Sequence, residues 1–393
     1  MSPIGETLWV FLQFSAIIET VESPLHHHQL ECDMMRLLLC MGIVGSCFLT
    51  YFSFFLLVNS ESESNSNVNE GLFEASHRVI NCNIGLGKMH PLHHPLKTYL
   101  TNQTLTGTAG LGDQTQNIVR RALELGVTVI DSAQAGEWYS EVGVGDGLAI
   151  YGATQNTTTH DVVIVTKIHP RSFELQKMQK ALAKSQASFG RNYLDVVLLH
   201  FPRCQQGQCT AEESKVSWQT GWKNLEHLRT QFNIKEIGVS NFEHSELQTL
   251  LQMANSKVSV IQNWMDPFHQ DGAVRELAHI HHVQYMAYSS FGTQWGRKYN
   301  HNVVFHNPAL ERIAQKHGTS IAKVTMSWLY LQNVVAIPRS TKIDHLEENF
   351  ALMKSKTSQR RDIGACEIEP VPLDRDDMEL IRSLDGILGT PWD

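Results

Sequence analysis

The stretch DVVIVTK, residues 161–167, consists mostly of β-branched residues and ends in a lysine. Two similar runs, VTVIDSA at 127–133 and LDVVLLH at 194–200, carry Asp131 and His200 at or near their ends. Short apolar runs of this composition are typical of buried strands. Amphipathic stretches of helical length separate the runs, and this alternation predicts a parallel β/α architecture.

The same alternation continues on both sides of these three runs. We predict eight strands, near residues 84–87, 127–131, 162–167, 194–200, 235–240, 258–262, 283–289 and 334–338. We predict helices over residues 114–125, 173–189, 218–232, 243–254, 321–331 and 345–354. Eight β/α units in about 300 residues predict a closed (β/α)8 TIM barrel of the α/β class. Residues 88–112 are rich in turn-forming residues, which predicts an inserted surface loop there.

The composition excludes several classes of protein. Hydrophobic residues make up 42% of the 393 residues and charged residues 18%, values typical of a folded chain. With 32 Lys and Arg against 40 Asp and Glu, the net charge of −8 argues against a nucleic-acid partner. The seven cysteines are too few for a disulfide scaffold, and the histidines lack a ligand spacing typical of a metal site.

The N-terminal part of the chain has a different pattern. Residues 37–58 carry no charge over 22 positions, and as a helix they would be about 33 Å long, enough to cross a bilayer. We predict a transmembrane helix or a signal sequence in this segment. It follows an N-terminal extension, 1–36, and precedes a polar linker, 59–79, and the barrel, 80–393.

The distribution of basic residues predicts where the barrel lies. Arg36 is the only Lys or Arg before the apolar segment, and none follows until Arg78, so the barrel is expected on the translocated side. We therefore predict a single-pass protein of the endoplasmic reticulum membrane, held through residues 37–58, with a luminal barrel. Cleavage of that segment would instead give a secreted protein. Sequons at Asn102 and Asn156 are consistent with a luminal glycoprotein.

Three predicted strands end in polar side chains that can carry chemistry. In a barrel, the C-terminal ends of the strands face one shared pocket, so Asp131, Lys167 and His200 are expected to converge there. Each residue alone could be structural, since Asp often caps a helix and a lone His is often only hydrogen-bonded. Together they predict a functional site.

Further motifs stand in the same order as in a known family. After these three residues come IKEIGVSNF at 234–242, Gln262, AYSSFG from Ala287 and IPRSTKIDHLEEN from Ile337. Over about residues 85–384 the chain resembles the aldo-keto reductase family. The resemblance implies a TIM barrel that reduces a small-molecule aldehyde or ketone to the alcohol, with hydride from NADPH.

The position of the tyrosine departs from the common family pattern. The family usually has it five residues after the Asp, where this chain has Gly136. The run DSAQAGEWYSEVGVG, 131–145, resembles a divergent branch with the tyrosine eight residues after the Asp, which makes Tyr139 the general acid. Tyr139 could also be an ordinary packing residue in a catalytically weak nicotinamide-binding barrel with a regulatory or redox-sensing role. A third hypothesis is a Schiff-base aldolase that uses Lys167 as its nucleophile.

The resemblance implies a division of roles at the strand ends. A carbonyl that receives hydride develops negative charge on its oxygen and needs a proton there. Lys167 is expected to lower the pKa of Tyr139, and Asp131 to hold Lys167 in place. The imidazole of His200 is expected to orient the carbonyl.

The resemblance also assigns ten residues to cofactor binding. They are Ser240, Asn241 and Gln262 at the carboxamide, Tyr288 against the nicotinamide ring, Ser289 toward the phosphates, Arg339, Ser340 and His345 at the 2′-phosphate, and Glu348 and Asn349 near the adenine. A bidentate arginine suits a phosphate dianion. His345 stands where many members have a second arginine, so NADH remains an alternative cofactor.

Two cysteines, Cys204 and Cys209, lie shortly after His200. In an oxidising compartment they could close a small disulfide loop beside the pocket. Two free thiols fit the same spacing.

Overall fold

The computed structural model describes residues 105–205, 207–351 and 370–392. These residues form one sheet of eight parallel strands that pair in chain order. The strands are β1 Leu105–Gly107, β2 Val129–Asp131, β3 Val163–Ile168, β4 Leu194–Leu199, β5 Ile234–Ser240, β6 Val260–Trp264, β7 Gln284–Tyr288 and β8 Val335–Ala336. The amide of Gly107 donates to the carbonyl of Pro338, just beyond β8, at 2.9 Å. This bond joins the first and last strands, and the predicted (β/α)8 barrel is confirmed.

Helices follow the strands around the barrel. They are α1 Thr115–Glu124, α2 Glu141–Gln155, α3 Leu175–Phe189, α4 Trp218–Leu228, α5 His244–Met253, α6 Gly272–Ile280, α7 Pro308–Lys316, α8 Ile321–Leu331, α9 Ile343–Ala351 and α10 Arg375–Arg382. The six predicted helices are present, most of them slightly shorter than expected. Helices α2, α6, α7 and α10 were not predicted.

Helix α2 shows why a helix can escape the sequence pattern. Its run EVGVGDGLAIYGATQ holds four glycines and has no apolar stripe of helical period. Glycine is costly in a helix, but here it permits close packing. A methyl group added at Gly145 would lie 1.9 Å from the carbonyl oxygen of Ser188, in α3. Tertiary packing therefore selects residues that propensity disfavours.

The first strand that the structure describes was not predicted. The predicted strand 84–87 lies outside the described residues. Strand β1, Leu105–Gly107, falls inside the segment 88–112 that we expected to be a surface loop, so that expectation is wrong for these three residues, whereas 88–104 lie outside the described residues. A three-residue strand that ends in glycine carries too little periodicity to be recognised. Its pairing with β2 defines it instead.

Two apolar clusters lie on the two faces of the sheet. The larger one fills the space between strands and helices. The smaller one fills the barrel interior with Leu105, Val129, Val163, Val165, Val196, Leu198, Val260, Met286, Val335 and Ile337. Because side chains alternate along a strand, Lys167 follows Val163 and Val165 on the interior face. The same parity places Asp131 and His200 at the inner ends of β2 and β4.

Several predictions concern residues that the structure does not describe. The extension 1–36, the apolar segment 37–58, the linker 59–79 and the sequon at Asn102 lie outside the described residues. Within the described part of the chain, none of the helices combines the length and hydropathy that a bilayer crossing requires. Asn156 is exposed at the C-terminal end of α2. The anchor and the glycosylation stay predictions.

Candidate active site

A buried ion pair forms the floor of the site. The ammonium of Lys167 donates to both carboxylate oxygens of Asp131, at 2.9 and 2.8 Å, and to the carbonyl of Ser132 at 2.8 Å. Gln262 donates its amide to Asp131 at 2.8 Å. Lys167 is 1% exposed. Burial lowers the pKa of Lys167, and the charge of Asp131 opposes that effect.

Tyr139 lies directly beside this pair. It belongs to the segment 132–140 between β2 and α2, and its side chain is half-buried. The ammonium of Lys167 lies 5.1 Å from the centroid of the Tyr139 ring. The His200 ring lies edge-on to it, with 6.0 Å between the ring centroids. The structure thus brings together the four residues that the resemblance assigns to catalysis.

The electrostatics of Tyr139 differ from the expectation. Burial raises the pKa of the phenol above its usual value, the charge of Asp131 adds to the rise, and that of Arg339 partly opposes it. The expected lowering by Lys167 is not observed. The ammonium is already paired with Asp131 and with a carbonyl, and burial disfavours the charged phenolate.

His200 presents a neutral imidazole to the site. Burial, reinforced by the charge of Lys167, lowers its pKa well below the usual value. Its ring stacks on Phe201 with centroids 4.4 Å apart and an interplanar angle of 20°. Nδ1 is buried and finds no hydrogen-bond partner among the described residues. A neutral imidazole with one unpaired nitrogen retains hydrogen-bonding capacity for a ligand.

The residues assigned to the carboxamide form a connected network. Ser240 donates its hydroxyl to the carbonyl of Gln262 at 2.7 Å. The Asn241 amide donates to the carbonyl of His200 at 2.8 Å and to Ser240 Oγ at 3.1 Å. Tyr288 donates its hydroxyl to Asn241 Oδ1. Asn241 has φ of +59°, a left-handed conformation that turns the chain directly after β5.

Arg339 and Ser340 follow β8 at the same end of the barrel. Arg339 is exposed, and its Nη2 lies close to Gly110 in the β1–α1 connection. In the described part of the chain its guanidinium has neither an ion pair nor a hydrogen bond. The hydroxyl of Ser340 accepts from the amide of Lys342 and donates to its carbonyl, both at 2.9 Å, and so shapes the turn before α9. Ser289 has φ of +56° directly after β7.

Helix α9 carries the other assigned residues. His345 is exposed in its first turn, and Asn349 is buried. Glu348 accepts a 2.7 Å hydrogen bond from Ser320, the residue that caps the N-terminus of α8. The structure therefore gives Glu348 a helix-packing contact that the sequence did not indicate.

Two further polar residues lie next to the site and were not predicted from the sequence. Glu141 is buried and accepts from Thr166 at 2.6 Å and from Ser185 at 2.9 Å, and burial raises its pKa. His169 lies two residues after Lys167 and is 2% exposed. The strand alternation that pointed to Lys167 could have indicated His169.

The sequence left open whether Cys204 and Cys209 are bonded or free. In the structure they form a disulfide.

Comparison with known proteins gives the class. A sequence model of the Aldo/keto reductase family matches residues 104–367. The chain belongs to the aldo-keto reductase family, as its resemblance implied.

Two relatives show how far the sequence similarity extends. The chain is 30% identical over 248 residues to a 9,11-endoperoxide prostaglandin H2 reductase of Trypanosoma cruzi, covering 63% of this chain and 80% of the relative. It is 29% identical over 299 residues to an NAD(P)H-dependent D-xylose reductase of Scheffersomyces stipitis, and this match covers 70% of this chain and 88% of the relative.

A solved structure agrees on the fold. An aldo-keto reductase of Bombyx mori in complex with NADP matches with a TM-score of 0.60 and 21% identity. The match covers 72% of this chain and 88% of that one.

Proposed function

We propose that this protein reduces an aldehyde or ketone to the alcohol with hydride from NADPH, and that Tyr139 is the general acid. The contact of the Tyr139 ring with both Lys167 and His200 carries this proposal. The D-xylose reductase relative, named as NAD(P)H-dependent, supports the cofactor class. The carbonyl substrate is a small molecule that reaches the C-terminal ends of the barrel strands.

The described residues fit a nicotinamide cofactor. Arg339 offers an exposed guanidinium to a 2′-phosphate, and such a group binds a phosphate dianion well. Ser240, Asn241 and Tyr288 form a polar surface next to His200 that suits a carboxamide. Bound NADPH would supply the hydride, which no side chain can donate. NADH is the alternative, since His345 supplies no second arginine.

The residues of the site then have distinct roles. A phenol is protonated at neutral pH, and burial raises the pKa of Tyr139 further, so the proton stays on Tyr139 until the substrate oxygen gains negative charge and accepts it. The neutral His200 can donate its ring N–H to the carbonyl oxygen and so orient the substrate. Asp131 holds the ammonium of Lys167 beside the ring of Tyr139, and this ion pair fixes the position from which the phenol transfers its proton.

Turnover of the full-length chain tests this function. NADPH oxidation is measured across a panel of aldehydes and ketones for the native protein, Tyr139→Phe and Tyr193→Phe. Tyr193 is a matched control, since its half-buried ring also faces an ammonium, that of Lys235 at 4.3 Å. Tyr139→Phe should reduce kcat by about 10²–10⁴-fold, the usual size of a general-acid effect, with unchanged NADPH affinity. Equal activity of the two variants would refute the assignment of Tyr139.

A second candidate function is a nicotinamide-binding barrel with little turnover. Gly136 at the usual tyrosine position favours it. NADPH binding without oxidation by any carbonyl of the panel would support this function over the reductase. A Schiff-base role for Lys167 is disfavoured, because its ammonium is buried and already has three acceptors.

We also propose that the barrel lies in the lumen of the secretory pathway, anchored through residues 37–58. The Cys204–Cys209 disulfide supports an oxidising compartment, and the exposed sequon at Asn156 supports a luminal glycoprotein. In sealed microsomes the barrel should resist added protease and lose mass after glycosidase treatment. Digestion without detergent would overturn the luminal placement, and extraction by carbonate would favour a soluble secreted form.

A further inference from the structure

A chain of polar side chains links the Cys204–Cys209 disulfide to the segment that carries Tyr139. It starts at Gln208, the residue before Cys209. The side-chain oxygen Oε1 of Gln208 lies 3.0 Å from Nε2 of His169. Arg171 donates its Nε to Nδ1 of His169 at 3.0 Å and its backbone amide to the same nitrogen at 3.3 Å.

Arg171 extends this chain of side chains from His169 to the segment 132–140. Its Nη1 donates to Glu137 Oε1 at 2.8 Å. Glu137 lies two residues before Tyr139 in the segment 132–140. The disulfide and the predicted general acid are therefore connected through His169, although they belong to different connections of the barrel.

The partners of His169 fix its protonation. Arg171 has only donors to offer, so Nδ1 of His169 must present its lone pair, and the ring proton resides on Nε2 and is donated to Gln208. Burial lowers the pKa of His169 and keeps the ring neutral, in agreement with this tautomer. The imidazole therefore works as a two-sided connector that joins one donor and one acceptor.

The segment with Tyr139 needs such support at its outer turn. Gly136, Glu137 and Trp138 are exposed there, and Trp138 is 64% exposed. On one side the amide of Gly110 donates to the carbonyl of Trp138 at 2.6 Å. The ion pair of Glu137 with Arg171 supports the other side. An exposed ion pair is weak by itself, but the buried imidazole fixes the guanidinium in place.

His169 also contacts the second predicted catalytic side chain. Its ring lies edge-on to His200 with 6.3 Å between centroids, and edge-on to Phe201 at 6.4 Å. Phe201 in turn stacks on His200. A single buried ring therefore borders His200 directly and reaches Tyr139 through Arg171 and Glu137.

We propose that His169 is a positioning residue of the carbonyl reduction. It holds Tyr139 through Arg171 and Glu137, packs beside His200, and is itself anchored to the Cys204–Cys209 disulfide through Gln208. The inference rests on the proposed reductase function for its catalytic consequence, but its structural part stands independently. No step of hydride or proton transfer passes through His169.

Four variants of the full-length chain test this role. His169→Phe keeps a buried ring and removes the hydrogen bonds of both ring nitrogens. His169→Asn places an acceptor where Nδ1 was and so restores the contact with Arg171. The double variant Cys204→Ser/Cys209→Ser opens the anchor. Lys177→Gln is the control, because it removes the 3.0 Å ion pair with Glu213, which ties the same β4–α4 connection to α3 without using His169.

Kinetics and hydrogen exchange are measured on all four. His169→Phe should lower kcat about tenfold, a size in keeping with a small misplacement of catalytic groups, and leave NADPH affinity within about twofold. Amide exchange over 132–140 should become faster. His169→Asn should recover most of both properties. The double serine variant should lower kcat and speed amide exchange over 132–140, each by about threefold. Lys177→Gln should change neither kcat nor the exchange rate.

The two measurements separate the possible failures. Unchanged exchange and kcat in His169→Phe would overturn the positioning role. The positioning role would also be overturned if Lys177→Gln changed kcat and exchange as much as His169→Phe does. It would likewise be overturned if His169→Phe weakened NADPH binding as much as it lowered kcat. If no carbonyl is reduced by the native protein, the reductase function fails. In that case faster exchange over 132–140 in His169→Phe, with rescue by His169→Asn, still supports the connection, and its absence refutes it.

Discussion

The two ends of the barrel carry similar side chains in different states. At the C-terminal end of the strands, Asp131 pairs with Lys167 below the ring of Tyr139. At the N-terminal end, Asp195 pairs with Arg191 at 2.7 Å and with Lys235 at 2.6 Å. A lysine also faces a tyrosine ring at this end, because the ammonium of Lys235 lies over the ring of Tyr193.

The difference lies in the polar atoms that remain unpaired. Asp195 also accepts from the amide of Ile164, and Arg191 donates further to the carbonyls of Thr159 and Val162. At the other end, Nδ1 of His200 and the hydroxyl of Ser132 are buried without partners among the described residues. Buried polar atoms without partners destabilise a fold. The Asp195–Arg191 pair is therefore a structural clamp, and the site around Asp131 and Lys167 retains hydrogen-bonding capacity for a ligand.

Removing the cation at each end is expected to have the largest effect. Lys167→Met leaves the buried carboxylate of Asp131 without its cation, which typically costs about 3–5 kcal/mol of stability. Arg191→Met should cost less, because Asp195 keeps its ion pair with Lys235. Only Lys167→Met should also abolish turnover, by about 10²-fold or more, because only Lys167 faces Tyr139. Denaturant unfolding measures stability, and kcat per folded molecule measures turnover. A similar loss of kcat in both folded variants would remove the distinction between the two ends.

Asp266 is another buried carboxylate, and it has no ion pair with any of the described residues. It accepts from the indoles of Trp264 and Trp295 at 2.8 and 2.9 Å and from the amide of Phe268 at 2.8 Å. Burial raises its pKa from the ordinary 3.8 to about 6. Folding thus strengthens its proton binding, so its contribution to stability is full below about pH 4 and is lost as the pH rises through about 6.

Unfolding free energies between pH 4 and 7 test this sign. The contribution of Asp266 should fall by about 3 kcal/mol over that range, since one pKa unit corresponds to about 1.4 kcal/mol. Asp266→Asn should show a flatter pH dependence than the native protein, although it is less stable at low pH. Parallel pH profiles for the two proteins would assign the titration to other groups.

Two arginines extend the comparison to binding. Arg191 is occupied by Asp195 and two carbonyls, whereas Arg339 is exposed and lies near Gly110. Arg339→Ala should weaken NADPH binding by about 10- to 30-fold and NADH binding by less than about threefold, because only NADPH carries a 2′-phosphate. Thermal stability should barely change. Titration of nucleotide fluorescence measures both affinities, and equal losses for the two nucleotides would contradict a 2′-phosphate contact.

The smallest effects concern two helix caps. Ser140 caps α2 directly after Tyr139, accepting from the amide of Gly143 at 3.0 Å, and Ser217 caps α4, accepting from Thr220 at 3.2 Å. Each Ser→Ala change should cost about 1 kcal/mol of stability. Only Ser140→Ala should also lower kcat, by a few-fold. Equal kcat values for the two variants would show that the cap does not help to place Tyr139.

The accuracy of the sequence predictions follows the strength of the local signal. Strands β2 to β8 were located because runs such as LDVVLLH are buried and continuous. Strand β1 was missed because LTG is too short to show a period, and α2 because its glycines serve packing against α3 and not helix propensity. The polar strand ends Asp131, Lys167 and His200 were found because alternation along a strand fixes which face a residue occupies.

The sequence by itself determined the order of β/α units, the parity that places Asp131, Lys167 and His200 inside the barrel, and the family. The order and the parity depend on local periodicity, and the family follows from the resemblance of ordered motifs to those of its members. Only the tertiary structure decided the rise in the pKa of Tyr139, the disulfide of Cys204 with Cys209 and the connection through His169. Each of these depends on burial or on contacts between residues far apart in the chain, and no local pattern encodes such contacts.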